Sequence, residues 1–333
     1  MKELVKKLTE AFGPSGREEE VRKIILEELE GHVDGYREDG LGNLVVWKGS
    51  GERKVLLDAH VDEIGVVVTS VDDRGFLMVE PVGGVSAYML LGKRLRFQNG
   101  KVGIVGLEGE TTDEMRENLK NLSFDKIFVD VGANGREEAE KNFPIGTFAV
   151  YDARFEEMSG KFVSKAMDDR IGCAVVVEVF KRLKPRNVQL FGVFSSQEEI
   201  GLVGASVAAY DILPDEVIAI DVTDASDTPK GYKRHAMKLG EGPALKVKDR
   251  ASISSRRILE RLVEVAERNK VKYQMEVLTF GGTNALSYQK TRHGIPAATI
   301  SIPTRYIHSP SEMVHPDDVE GAIELLLKYL EAS

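Results

Sequence analysis

The chain has one cysteine in 333 residues, so no disulfide can form within it. That residue, Cys173, lies in the apolar stretch 171–180, where a packed small hydrophobe is expected rather than a nucleophile. Basic blocks are also missing, and the net charge is −9. A general nucleic-acid binder draws its affinity from clustered Lys and Arg, so the chain does not read as one. No segment approaches the roughly 20 consecutive apolar residues that span a bilayer. Residues 1–12 are charged throughout and lack the unbroken apolar core of a signal peptide; Leu4, Val5, Leu8 and Phe12 recur instead at helical spacing. A cytoplasmic protein with no nucleic-acid or membrane partner is the expectation. One cysteine beside abundant Glu, Lys and Arg resembles thermophile usage.

What is present fits a globular enzyme: 42% hydrophobic and 30% charged residues, in a length that suits one large domain or a large domain with a smaller one. Two textures alternate. Residues 1 to about 62 read as helix then strand: an amphipathic start, a Gly-Pro-Ser-Gly turn at 13–16, a helix through 21–29, and strands at 44–47 and 55–57. From about 65 to 158 the helical rhythm fades. Short β-rich runs at 66–71, 76–79, 94–97, 102–105 and 128–131 are separated by Gly, Asp and Asn, and Asn99-Gly100 predicts a hairpin turn with positive φ at both residues. After Ser159-Gly160 the first texture returns, with helices at 169–183, 255–269 and 316–330 and strands at 188–194, 217–221, 273–278 and 298–302. Alternation of this kind predicts an α/β sheet covered on both faces. The expected division is a discontinuous catalytic domain, 1–64 and 158–333, interrupted by a β-rich domain, 65–157.

Glu198 and Glu199 stand where the buried run 188–194 should end more cheaply. On its own the pair reads as solvated turn charge. Other strand ends carry similar residues: His60 with Asp62 after 55–57, Asp221 closing 217–220, and His308 beyond 298–302. Asp168-Asp169 precedes an apolar helix and has a rival reading as an N-cap. Loops beyond the carboxyl ends of parallel strands converge on one crevice, so His60, Asp168, Glu199, Asp221 and His308 can meet although far apart in sequence. Five imidazole and carboxylate donors suit two divalent metals, and the histidines favour zinc or cobalt over magnesium. Of the adjacent carboxylates, one can bind a cation while the other accepts a proton from water. Asp62 can take the second N–H of His60 and so orient the ring.

The blocks Asp58-Ala59-His60-Val61-Asp62-Glu63-Ile64-Gly65, Met167-Asp168-Asp169-Arg170-Ile171-Gly172, Gln197-Glu198-Glu199-Ile200-Gly201-Leu202, Ala219-Ile220-Asp221-Val222-Thr223 and Arg305-Tyr306-Ile307-His308-Ser309 resemble, in order, the tetrahedral (TET-type) dinuclear metallo-aminopeptidases, relatives of deblocking and glutamyl aminopeptidases. The resemblance covers nearly the whole chain. It implies a zinc-exopeptidase-like mixed sheet flanked by helices, with an inserted small β-barrel-like, PDZ-like dimerisation domain. It further implies His60 and Glu199 as terminal ligands, Asp168 as the bridge between two metals, and Asp221 and His308 completing the shells. A cis peptide at Asp168–Asp169, Asp62 orienting His60, Glu198 as general base, short peptide substrates and a hollow homododecamer built from dimers are implied as well. One departure is Asn284, where the family usually has Asp; an uncharged amide there is expected to change the field near the substrate loop. His32, His235, His293 and His315 are expected in surface or cap roles, and Arg305 in either substrate binding or a structural ion pair. The basic stretch 230–235 reads as a solvated loop or, failing that, a preference for acidic substrates. The competing functions are a dinuclear-metal carboxypeptidase or amide deacylase, a glycoside hydrolase using paired carboxylates, and a non-catalytic metal-binding or scaffold protein.

Overall fold

A computed structural model describes residues 1–184, 187–231 and 237–331. Four parallel strands form its centre, in the spatial order Val188–Ser195, Arg53–His60, Glu216–Asp224 and Ala297–Arg305. Antiparallel strands extend this to an 11-stranded mixed sheet: Leu44–Lys48 and Gly35–Glu38 on one side; Glu312–Val314, Lys161–Ser164 and Glu156–Met158 on the other; and Ala244–Lys248 with Gln274–Val277 branching from Ala297–Arg305. The central strands are continuous apolar runs because both faces are covered. Their residues alternate between cores: Val55, Leu57 and Ala59 face one side, Leu56 the other. Helices Lys2–Glu10, Glu19–Leu29, Met167–Arg182, Arg256–Asn269 and Pro316–Glu331 build the larger core on the first face. Helices Val203–Ile212 and Ala285–Lys290 cover the second.

The stretch between Gly65 and Tyr151 closes a six-stranded antiparallel barrel with its own core, including Val66, Leu77, Leu95, Phe97, Ile127 and Val129. By Glu156–Met158 the chain has rejoined the large sheet. The predicted hairpin forms between Arg94–Phe97 and Val102–Leu107, but with a different turn. Only Gly100 has positive φ (79°), and its N–H donates to the Phe97 carbonyl, so a longer loop with a left-handed glycine replaces the two-residue turn.

Five α-helices among the described residues were not expected: Ala87–Leu90, Thr112–Lys120, Arg136–Asn142, Val203–Ile212 and Ala285–Lys290. Thr112–Lys120 and Arg136–Asn142 interrupt the barrel's strands, and Thr112–Lys120 buries no residue, so it has no apolar stripe to read. Val203–Ile212 is small and apolar with little periodicity. No described helix is long and apolar enough to cross a membrane.

Candidate active site

Parallel strand direction brings the expected residues together. The register pairs His60 with Ser195 and Asp221 with Ser301, so His60, the segment after Ser195, Asp221 and the segment after Arg305 share one edge of the sheet. Asp168 enters from the start of helix Met167–Arg182, and the Asp168–Asp169 peptide bond is cis. Asp168 is the hub: its Oδ1 lies 3.0 Å from His60 Nε2, and its Oδ2 lies 3.2 Å from His308 Nε2. Glu199 Oε1 is 3.3 Å from the same His308 nitrogen, and Glu198 Oε2 is 3.9 Å from His60 Nε2. Three groups of donor atoms result, each within 4.8 Å: His60–Asp168–Asp221, Asp168–Glu199–His308, and His60–Glu198–Glu199.

These residues fit divalent metals by the chemistry of the donor set. Burial, reinforced by Asp168, pushes the Asp221 carboxyl up to about 7. Burial also holds Glu198 well above its ordinary range, with Asp221 and Glu199 adding to the effect and His60 opposing it. Burial alone would lower the His308 imidazole, yet its contacts with Asp168 and Glu199 raise it to about 12. Crowded buried carboxylates and imidazoles of this kind demand positive charge at their centre, which a divalent cation held by N and O donors supplies.

Other buried groups fix these side chains. The Asp62 carboxylate accepts from Ser15 Oγ (2.6 Å), Glu198 N (3.0 Å) and Glu199 N (3.1 Å), and its Oδ1 is 3.4 Å from His60 Nδ1. The nearer partner of that ring nitrogen is the Asp62 backbone carbonyl, at 3.2 Å. Asp62 therefore secures the Glu198-Glu199 loop as well as the ring. Glu312 has a parallel role: it accepts from Asp168 N (3.0 Å) and His308 N (2.7 Å). His308 Nδ1 contacts the Gly84 carbonyl at 3.0 Å. Beneath the His60 loop, Lys165 Nζ donates to both oxygens of buried Glu63 at 2.7 Å.

Behind His60, Asp58 accepts from Tyr288 Oη and Asn284 Nδ2, each at 2.7 Å. Burial raises the Asp58 carboxyl to about 6, against the pull of those donors. Asn284 thus turns inward, also donating to Ser195 Oγ (2.8 Å), and links the strand that ends at His60 to the strand that leads to Glu198-Glu199. Arg305 forms a two-point ion pair with Asp227. His315 Nδ1 accepts from Asp317 N at the start of the last helix, and Cys173 is buried with its Sγ on the His60 carbonyl. In the stretch 230–235, residues 232–235, His235 among them, lie outside the described residues.

Sequence reasoning missed Glu312, Ser15 and Gly84. Glu312 sits in a three-residue strand with no motif around it. Of the three, only Glu312 left a trace, as an acid close behind His308.

The site opens into a cleft of about 890 Å³ lined by His60, Asp168, Glu198, Glu199, Asp221 and His308 and by Thr223, Lys246, Leu278, Phe280, Gly282 and Tyr306 among others.

Residues 42–325 match the family model described as M42 glutamyl aminopeptidase. A putative aminopeptidase of Acetivibrio thermocellus is 45% identical over 99% of this chain and 98% of its own. An aminopeptidase structure from the archaeon Desulfurococcus kamchatkensis superposes with a TM-score of 0.93 at 37% identity, covering 100% of this chain and 94% of that one. A Pyrococcus horikoshii TET1 peptidase, whose structure is described as assembling into a tetrahedron or a large octahedral shell, gives 0.86 at 31% identity and 98% coverage of both chains. The family match and these likenesses over nearly the full length have one meaning: the chain belongs to the M42 aminopeptidase family, hydrolases that act on the N-terminal residues of peptides.

Proposed function

We propose that the protein removes N-terminal residues from short peptides using two divalent metals, zinc or cobalt, and Glu198 as general base. The observation that carries this reading is Asp168, whose two oxygens face two different imidazoles, His60 and His308. Asp168 would bridge; His60 and Asp221 would complete one metal position, Glu199 and His308 the other. Bound there, the metals supply Lewis acidity, polarising a carbonyl and lowering the pKa of water towards about 7 for zinc against about 16 in bulk.

The chain's own groups do the rest. Glu198 is partly buried beside the cluster, belongs to neither Asp168-containing group, and has its backbone tied to Asp62. Its carboxylate would take the proton of the attacking water and return it to the departing amine. Asp62 would hold that residue and the His60 ring in register. The negative field of Glu198, Glu199 and Asp221 favours a free substrate ammonium, which accounts for action at the N-terminus. The cleft would admit the peptide end and limit water around it.

The inserted domain at 65–157, with its barrel, would serve for dimerisation, and the likeness to TET1 peptidases supports a closed homo-oligomer, a dodecamer built from dimers. A panel of amino-acid anilides, set against N-acylated and C-terminal substrates and assayed with zinc, with cobalt and after chelation, tests the function. Hydrolysis confined to free-amine substrates and dependent on metal is expected. Turnover of N-acyl or C-terminal substrates alone would replace aminopeptidase with deacylase or carboxypeptidase.

A further inference from the structure

The barrel reaches the site through the Gly83-Gly84 turn between strand Leu77–Val82 and the short helix Ala87–Leu90. A Cβ at Gly84 would lie 2.5 Å from both Cε1 and Nδ1 of His308, and the third nearest atom, at 3.7 Å, belongs to the same ring. Such a Cβ would force the imidazole to move. Gly83 has φ 79°, and a Cβ there would meet Glu199 Cβ at 3.0 Å. The two glycines thus press on the two side chains that, with Asp168, form one of the donor groups.

The turn also makes a directed contact. The Gly84 carbonyl lies 3.0 Å from His308 Nδ1 and can only accept, so Nδ1 carries the proton and Nε2 turns to Asp168 and Glu199. The other anchor of His308 is its backbone N–H, donated to Glu312. Val85 and Ala87, immediately after the turn, are buried in the barrel's core, so the carbonyl is held by the barrel and the backbone by the sheet domain.

We infer that Gly84 is a positioning residue for catalysis: through its carbonyl and its lack of a side chain, the barrel sets the tautomer and orientation of His308 and so the occupancy of the Asp168–Glu199–His308 metal position. The inference rests on the two-metal reading above. It gives the barrel a second role besides any contact between subunits, because a shift of the barrel against the sheet would be felt at one metal position before the other.

Gly84→Ala is a narrow perturbation, since Gly84 does not occupy the left-handed region and the added methyl meets chiefly the ring. The test measures zinc binding by chelator competition for the full chain, Gly84→Ala, His308→Ala and the double variant, with circular dichroism as the check on folding. Wild type should bind two zinc ions. Gly84→Ala should weaken one of them about ten- to a hundredfold, the usual effect of losing an outer partner of a ligand. The double variant should bind no more weakly than His308→Ala alone, because both changes act through one ring. Imidazole nitrogen NMR of the zinc-loaded wild type should show the His308 proton on Nδ1. Undiminished binding of both ions by Gly84→Ala, additive losses in the double variant, or a proton on Nε2 would overturn the inference while leaving the two-metal reading intact. A wild type that binds no zinc would overturn that reading and this inference with it.

Discussion

Replacing Asp62 by Asn keeps the size of a fully buried side chain and changes only what it can accept. The carboxylate receives three donors, two of them the backbone N–H groups of Glu198 and Glu199. An amide has one accepting oxygen, so whichever way it turns, one of those N–H groups faces an NH2. Ser15 can rotate its hydroxyl to adapt; a backbone N–H cannot. A buried donor left unpaired costs about 1–3 kcal/mol, which is about 5- to 160-fold in an equilibrium or rate constant. Because the loop carries both a candidate ligand and the candidate base, zinc affinity and kcat should both fall within that range. Chelator competition and anilide turnover measure the two separately. An Asp62→Asn enzyme with wild-type metal affinity and wild-type kcat would refute the view that this carboxylate holds the Glu198-Glu199 loop.

Three further outcomes follow from the geometry. In the chelated protein, Asp58, Asp221 and Glu312 sit near 6, 7 and 8 and His308 near 12, all above their ordinary values. The folded state therefore binds more protons than the unfolded one across neutral pH, and stability must fall as pH rises. The Tm of chelated protein should drop from about pH 5 to about pH 8; a flat or rising Tm would contradict this. Zinc should bind with release of protons, measurable as a buffer-dependent calorimetric enthalpy. Lys165→Met strands the Glu63 carboxylate, a loss of about 3–5 kcal/mol, with Arg170 at 3.6 Å from Glu63 favouring the lower end. An unchanged Tm for that variant would show the pair to be dispensable.

The parallel sheet and four of the candidate ligands, His60, Glu199, Asp221 and His308, could be read from the sequence for one physical reason, whereas Asp168 enters from the start of a helix. Apolar runs such as 188–194 must be buried, and acids or histidines just beyond them sit where strand ends converge. Glu312 follows no apolar run, and its importance comes from accepting the backbone N–H of Asp168, 144 residues away, together with that of nearby His308. Gly84 looked like any turn glycine until the His308 ring was placed against it. Asn284 was expected to change the field near the substrate loop; that its amide lies inward, on the buried acceptor Asp58, had no signal in the sequence. Helix Thr112–Lys120 was hidden because it buries nothing; its start is instead secured by the Thr111 hydroxyl accepting from Glu114 N.

The division of labour between Glu198 and Glu199 is the centre of the account, and one variant tests it directly. Glu198→Gln, dialysed against zinc and assayed for metal content and anilide turnover, should retain two zinc ions per subunit while kcat falls about 100- to 10,000-fold, the usual contribution of a positioned base. Loss of a zinc ion would make Glu198 a ligand, and full turnover with both ions bound would remove it from the chemistry; either result contradicts the assignment.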